Sequence, residues 1–243
     1  MSSFPLILKP FGETAILLEW PKEVNEAILE DILGFQEILK LKLDETWVYV
    51  PSYNSLTLIS QRGTFDFPRL REQILDWFSN TKRNLVLERC LWKLPVCYNE
   101  EFGPDLKETA EKLMVSIDEL IGGHTAQEYT VYGIGFLPGF MYLGGLPQNL
   151  ETKRRETPRL HVAKGSVGLA GKQTGIYPQD SPGGWNIIGR CPVPMFNLNL
   201  KYPCFVEVFD KIQFVPIDRA TYDLRIIEAE VGIYQPEKIV LDA

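Results

Sequence analysis

Twelve of the nineteen glycines in this 243-residue chain lie between residues 133 and 190. Such density works against long helices, because a glycine costs a helix interior about 1 kcal/mol and a proline about 3 kcal/mol. The apolar runs there shorten to four or five residues. Short strands joined by tight turns are what this stretch can build, and many of them together make a barrel or a sandwich. Its densest part, GKQTGIYPQDSPGGWNIIGR (171–190), sets Lys172, Gln173, Tyr177, Gln179, Asp180, Ser181 and Arg190 among five glycines. Gly183 and Gly184 let backbone approach a ligand, and Trp185 can wall it.

The N-terminal part reads differently. ETAILLEW (13–20) alternates as a strand, with Thr14, Ile16, Leu18 and Trp20 on one side. Val24, Ile28, Ile32, Phe35 and Leu39 then recur at helical spacing, behind a Pro21 placed where a helix can start. WVYVP (47–51) and SLTLIS (55–60) predict two strands around a Ser52–Tyr53–Asn54 turn. Leu70, Ile74, Trp77 and Phe78 mark a second helix, and 85–91 a further strand. This order predicts a small split β-α-β, ferredoxin-like α/β sandwich over 1–88.

A second domain is expected over 89–243. Leu106, Ala110, Leu113, Ile117 and Leu120 keep helical spacing, while Ser116-Ile-Asp-Glu119 predicts a capping box that starts a separate helix ending at Gly122–Gly123. FVEVF (205–209) and QFVPI (213–217) alternate as paired strands around Asp210–Lys211. The amphipathic stretch 218–231 reads equally as helix or strand. Phe136, Phe140 and Trp185 are expected to be at least partly core.

Charge and cysteines narrow the classes. A net charge of −7 disfavours an electrostatic footprint for nucleic acid. MSSFPLILKPFG lacks a basic n-region, so no signal peptide is expected. No run reaches the roughly 18 apolar residues of a membrane-spanning helix, and a cytoplasmic location is the expectation. Cys90, Cys97, Cys191 and Cys204 form no C-x-x-C pair, and with only His124 and His161 they are poor material for a zinc site. Reduced, structural cysteines are expected, with no bound metal.

Two nucleotide motifs fail on counting. GIGFLPG (133–139) has Pro138 where a dinucleotide fingerprint needs its last glycine. GLAGKQTG (168–175) has Ser166 in place of the first P-loop glycine and Gln173 in place of the hydroxyl residue. What remains is a polar set on a β-scaffold: His124, Arg154, Arg155, Arg159, Lys172, Gln173, Tyr177, Gln179, Asp180, Ser181 and Arg190. Its arginines can clamp a carboxylate or phosphate, or pair with Glu151, Glu156 and Asp180. Ser181 has no histidine base near it in sequence.

Longer strings say more. EYTVYGIGFLPGFMYLGGLP (128–147) and PRLHVAKGSVGLAGKQTGIYPQDSPGGWNIIGR (158–190), with LPVCYNEEFGPDL (94–106) and His124-Thr125-Ala126 upstream, resemble the family of the 5-oxoprolinase B subunit. That family includes the Kip-type inhibitor of a sporulation histidine kinase. It is also similar to one half of the carboxyltransferase region of urea carboxylase and was formerly called allophanate hydrolase subunit 1. The resemblance implies a C-terminal cyclophilin-like β-barrel behind a small α+β domain. It implies a cytoplasmic protein that works with the A and C subunits to convert 5-oxoproline to L-glutamate with ATP hydrolysis. ATP with Mg2+ is then a cofactor of the complex, and no prosthetic group is expected. The alternative it implies is a regulator that binds a histidine kinase.

A lactam is a poor electrophile, so its activation needs cations for phosphoryl charge and a clamp for the substrate carboxylate. With the resemblance, His124, Lys172 and Arg190 are the expected catalytic residues. Arg155, Arg159, Gln173, Tyr177, Ser181 and Trp185 are the expected substrate contacts. The chain departs from the family pattern at Met141, at Val162-Ala163-Lys164-Gly165-Ser166, at Cys191 and at Asn197.

Overall fold

The computed structural model describes residues 4–81 and 87–241. The chain divides into two compact units, with the division at Glu88–Arg89. The first contains β1 (Ile7–Pro10), β2 (Ala15–Glu19), α1 (Glu26–Lys42), β3 (Trp47–Ser52), β4 (Ser55–Ser60) and α2 (Phe67–Asn80). Its strands form an antiparallel sheet in the order β1-β2-β4-β3. Alternation puts Ile16 and Leu18 of β2 and Leu56 and Leu58 of β4 on one face, all fully buried. Against them pack Ile28, Ile32, Phe35 and Leu39 of α1 and Leu70, Ile74 and Phe78 of α2. The rings of Trp20, Phe35 and Phe78 meet edge to face at 5.0–6.4 Å between centroids.

Two expectations shift here. Helix α1 starts at Glu26 rather than at Pro21, because Asn25 Oδ1 accepts the Ala27 N–H at 2.8 Å and supplies the cap. The order β2-α1-β3 with β4 inserted is the split β-α-β core, but β1 takes the edge beside β2 where a ferredoxin-like sandwich would place the strand after α2. Part of the expected strand 85–91 falls outside the described residues. Residues 87 and 88 are not strand, and 89–91 are absorbed into β5 (Arg89–Cys97), which belongs to the second unit.

That unit continues with α3 (Leu106–Leu113), α4 (Ile117–Thr125), β6 (Glu128–Ile134), β7 (Met141–Gly144), β8 (Arg159–Val162), β9 (Ser166–Ala170) and β10 (Gln173–Ile176). Then come β11 (Ser181–Gly183), β12 (Asn186–Arg190), β13 (Lys211–Ile217), α5 (Arg219–Glu230) and β14 (Glu237–Leu241). Seven strands close a barrel in the order β6-β13-β5-β12-β9-β10-β7, with β7 pairing back to β6. Strands β5 and β13 run parallel, and β14 pairs with the first half of β5. Period-two alternation fills the interior with Leu94 and Val96, Tyr129 and Val131, Val167 and Leu169, and Ile212 and Phe214. Outside the barrel, β8 and β11 form a two-stranded ribbon.

The capping box is present: Ser116 Oγ accepts the Glu119 N–H, and the Glu119 carboxylate accepts the Ser116 N–H at 2.7 Å. Helix α4 nevertheless runs past Gly122–Gly123 to Thr125, and so carries His124. FVEVF is not a strand. Asp210 draws it into a turn by accepting the N–H groups of Glu207 and Cys90 and the Trp92 indole N–H at 2.8–3.0 Å. The ambiguous stretch 218–231 resolves into α5, capped by the Asp218 carboxylate.

Candidate functional site

Arg155, in the loop after β7, and Arg159, at the start of β8, are held by one carboxylate. Asp105, just before α3, is 1% exposed. Its Oδ2 accepts the Ile187 N–H at 2.6 Å, while Oδ1 accepts Arg155 Nη1 at 2.7 Å and Arg159 Nη2 at 2.5 Å. The Arg155 N–H also donates to the Gly184 carbonyl, and Asn186 Nδ2 to the Lys153 carbonyl, so the loop is stitched onto β12. A buried carboxylate needs such partners. Both arginines keep a second buried nitrogen, Arg155 Nε and Arg159 Nη1, with no hydrogen-bond partner among the described residues.

Tyr177 and Trp185 belong to a separate aromatic cluster centred on Phe140. The Phe140 ring lies 5.1–5.7 Å, edge to face, from those of Phe136, Tyr142, Tyr177 and Trp185. These residues, with Arg154 and Pro182–Gly184, line a cavity of about 150 Å³. A Cβ built on Gly183 would sit 2.3 Å from Tyr177 Oη. Burial pushes the Tyr177 phenol up, opposed by the nearby Trp185 backbone N–H and the charges of Arg154 and Arg159. Phe136, expected to be partly core, is 67% exposed and has a left-handed φ of 70°.

A second cleft, of about 570 Å³, gathers Lys164, Asp180, Arg190, Asn197, Tyr222 and Glu230. The Arg190 guanidinium lies over the Phe102 ring, 5.3 Å from its centroid, and its charge opposes the rise that burial gives the Tyr222 phenol; among the described residues its buried Nε has no hydrogen-bond partner. Asp180 accepts the Lys164 N–H at 2.7 Å, and that bond with the one from His161 holds its carboxyl below the usual range.

The remaining expected residues lie elsewhere. His124 is wholly buried inside the barrel. Its Nδ1 is 2.8 Å from Tyr98 Oη, its Nε2 2.8 Å from Thr174 Oγ1, and its ring stacks on Phe214. Because the Thr174 hydroxyl donates to the Gly168 carbonyl, Nε2 must carry the proton and Nδ1 must accept from Tyr98. Burial lowers its pKa to about 3. It therefore has the environment of a neutral core histidine rather than of an acid or base open to ligand.

Lys172 is exposed on the two-residue β9–β10 turn, and Gln173 pairs with Ala170 at its base. Gly171 has φ 59° and donates its N–H to the Thr152 carbonyl at 2.6 Å, so this glycine offers no free amide to a phosphate. Ser181 Oγ is buried without a hydrogen-bond partner among the described residues. The nine expected residues thus do not converge on one centre. Asp105 and Tyr142 escaped the sequence reading. The signal for Asp105 lay in EFGPD, within one of the strings that carry the family resemblance.

Residues 6–206 match the carboxyltransferase domain, subdomain C and D. The 5-oxoprolinase B subunit of Haemophilus influenzae is 36% identical over 206 residues, 85% of this chain and 95% of that protein. That of Bacillus subtilis is 30% identical over 226 residues, 88% of this chain and 94% of that protein. The urea carboxylase of Kluyveromyces lactis superposes with a TM-score of 0.78 at 16% identity, a likeness of fold, over 98% of this chain and 24% of the carboxylase. By sequence and by fold, this chain belongs to the family of the carboxyltransferase domain, subdomain C and D.

Proposed function

We propose that this chain is the B subunit of an ATP-dependent 5-oxoprolinase and acts with the A and C subunits to convert 5-oxo-L-proline to L-glutamate. The observation that carries this reading is the near end-to-end match to two such subunits, over 94–95% of their length. The arginine-rich surface of the second unit supports it, since lactam activation produces anionic groups that need cationic partners. ATP with Mg2+ belongs, in this reading, to the assembled enzyme. The Gly171 N–H of the β9–β10 turn is already bonded to Thr152 and is not free for a phosphate.

Co-expression with the cognate A and C subunits tests the proposal. Glutamate release from 5-oxoproline, dependent on ATP, is expected with all three chains and lost when this one is omitted. A full rate from the other two alone refutes the reading. Arg190→Ala is expected to lower kcat/KM by about tenfold or more, the scale of one lost charge-assisted hydrogen bond, with complex assembly unchanged. Unchanged turnover removes Arg190 from the site.

A further inference from the structure

We propose that the aromatic cavity around Phe140 is a subsite for a small ring carboxylate, with Arg154 as the partner of the carboxylate. This deepens the 5-oxoprolinase reading and rests on it in naming 5-oxo-L-proline as the ring. The size selects the ligand class. A volume of about 150 Å³ is well below the roughly 300–1,000 Å³ of pockets for drug-sized molecules, and matches an engineered cavity that admits benzene. A nucleotide is excluded from it, whereas one five-membered ring is not.

The walls select the ring's chemistry. Phe136, Phe140, Tyr142, Tyr177 and Trp185 present aromatic faces and edges to it, a lining suited to the CH2 groups of a saturated ring. Tyr177 lines the cavity, and its phenol O–H can donate to an acceptor such as a lactam oxygen. Phe136 stands at this cavity in the left-handed region, a conformation that costs a non-glycine residue energy and recurs where a ligand is clamped.

The charge selects the substituent. Among the described residues Arg154 is exposed, lines the cavity and has no hydrogen bond or ion pair, unlike Arg155 and Arg159, which are held by Asp105. A guanidinium free to turn at the edge of an apolar ring site matches a planar carboxylate bidentately. Arg154 thus supplies what the aromatic walls lack.

The test is a titration of the full chain followed by the Trp185 indole N–H resonance, with 5-oxo-L-proline, cyclopentanecarboxylate and 2-pyrrolidinone as probes. Both carboxylates are expected to shift it saturably, and the uncharged lactam to bind at least tenfold more weakly. Arg154→Gln, at an exposed and unpaired position, is expected to erase that tenfold preference. Gly183→Ala, which drives a methyl group into Tyr177, is expected to abolish the shift by all three. An unchanged preference in Arg154→Gln, or a shift confined to the Arg190 cleft, overturns the subsite. If reconstituted turnover needs this chain while no probe shifts Trp185, the subsite falls and the 5-oxoprolinase reading stands. If the carboxylates bind as expected but the chain is dispensable for turnover, the reading falls and the subsite stands as a ring-carboxylate site.

Discussion

Between Tyr98 and Thr174, His124 stays neutral at pH values where an unfolded chain would protonate it. Its folded pKa near 3 lies below the ordinary 6.5, so the unfolded state binds the extra proton in that window. The stabilisation is complete above about pH 6.5 and is lost progressively as pH falls toward 3, by roughly 1.4 kcal/mol per unit. Urea midpoints at pH 7 and pH 5 should therefore diverge for the native chain and converge for His124→Gln, which is less stable at pH 7. Asp105 carries a different liability. Asp105→Asn leaves two guanidinium groups short of their counter-charge and is expected to cost about 3–5 kcal/mol in equilibrium unfolding. The sequence could not disclose either role, since the partners of these residues lie 26–82 positions away. The capping box was readable because Ser116 and Glu119 are three residues apart.

At the scale of elements, what was legible followed from periodicity. Strands β3 and β4, helix α2 and the break between α3 and α4 each announce themselves in local spacing. FVEVF misled because alternation is necessary for a strand but not sufficient, and the Asp210 side chain offers its backbone a better-bonded turn. The glycine-rich run holds two kinds of glycine that composition cannot separate. Gly171 has φ 59° and open space, with no atom within 4 Å, where a methyl group would sit, so Gly171→Ala should cost about 1 kcal/mol. Gly165 has φ 81°, and its Cβ would lie 2.4 Å from the Cys191 carbonyl oxygen. Gly165→Ala is expected to cost at least about twice as much, because β12 must move as well. Thermal unfolding of the two variants side by side checks the ratio.

For the whole molecule, the β-α-β-β-α order predicts a first unit over 1–88, where the two compact units divide, and the short glycine-spaced runs predict a barrel or a sandwich, of which the structure has the barrel. The site was less legible. The expected residues lie mainly on the arginine loop and the 171–190 run, and closure of the barrel distributes them over two cavities, a buried carboxylate hub and an interior histidine. Which side of a barrel a residue faces follows from strand register and bulges, such as the one between Ile187 and Gly189 in β12, and these depend on the neighbouring strand.

Strand β5 opens the second unit but is paired by β13 and β14, and Cys90 finds its Asp210 partner 120 residues later. On a ribosome adding about 5–20 residues per second, that interval is roughly 6–24 s. Throughout it the first barrel strand has neither of these neighbours, and its apolar Leu91, Trp92, Leu94 and Val96 have yet to be covered. Vectorial synthesis thus leaves β5 with an open edge until the end of the second unit is made, and makes it the first strand of that unit a nascent-chain chaperone would meet.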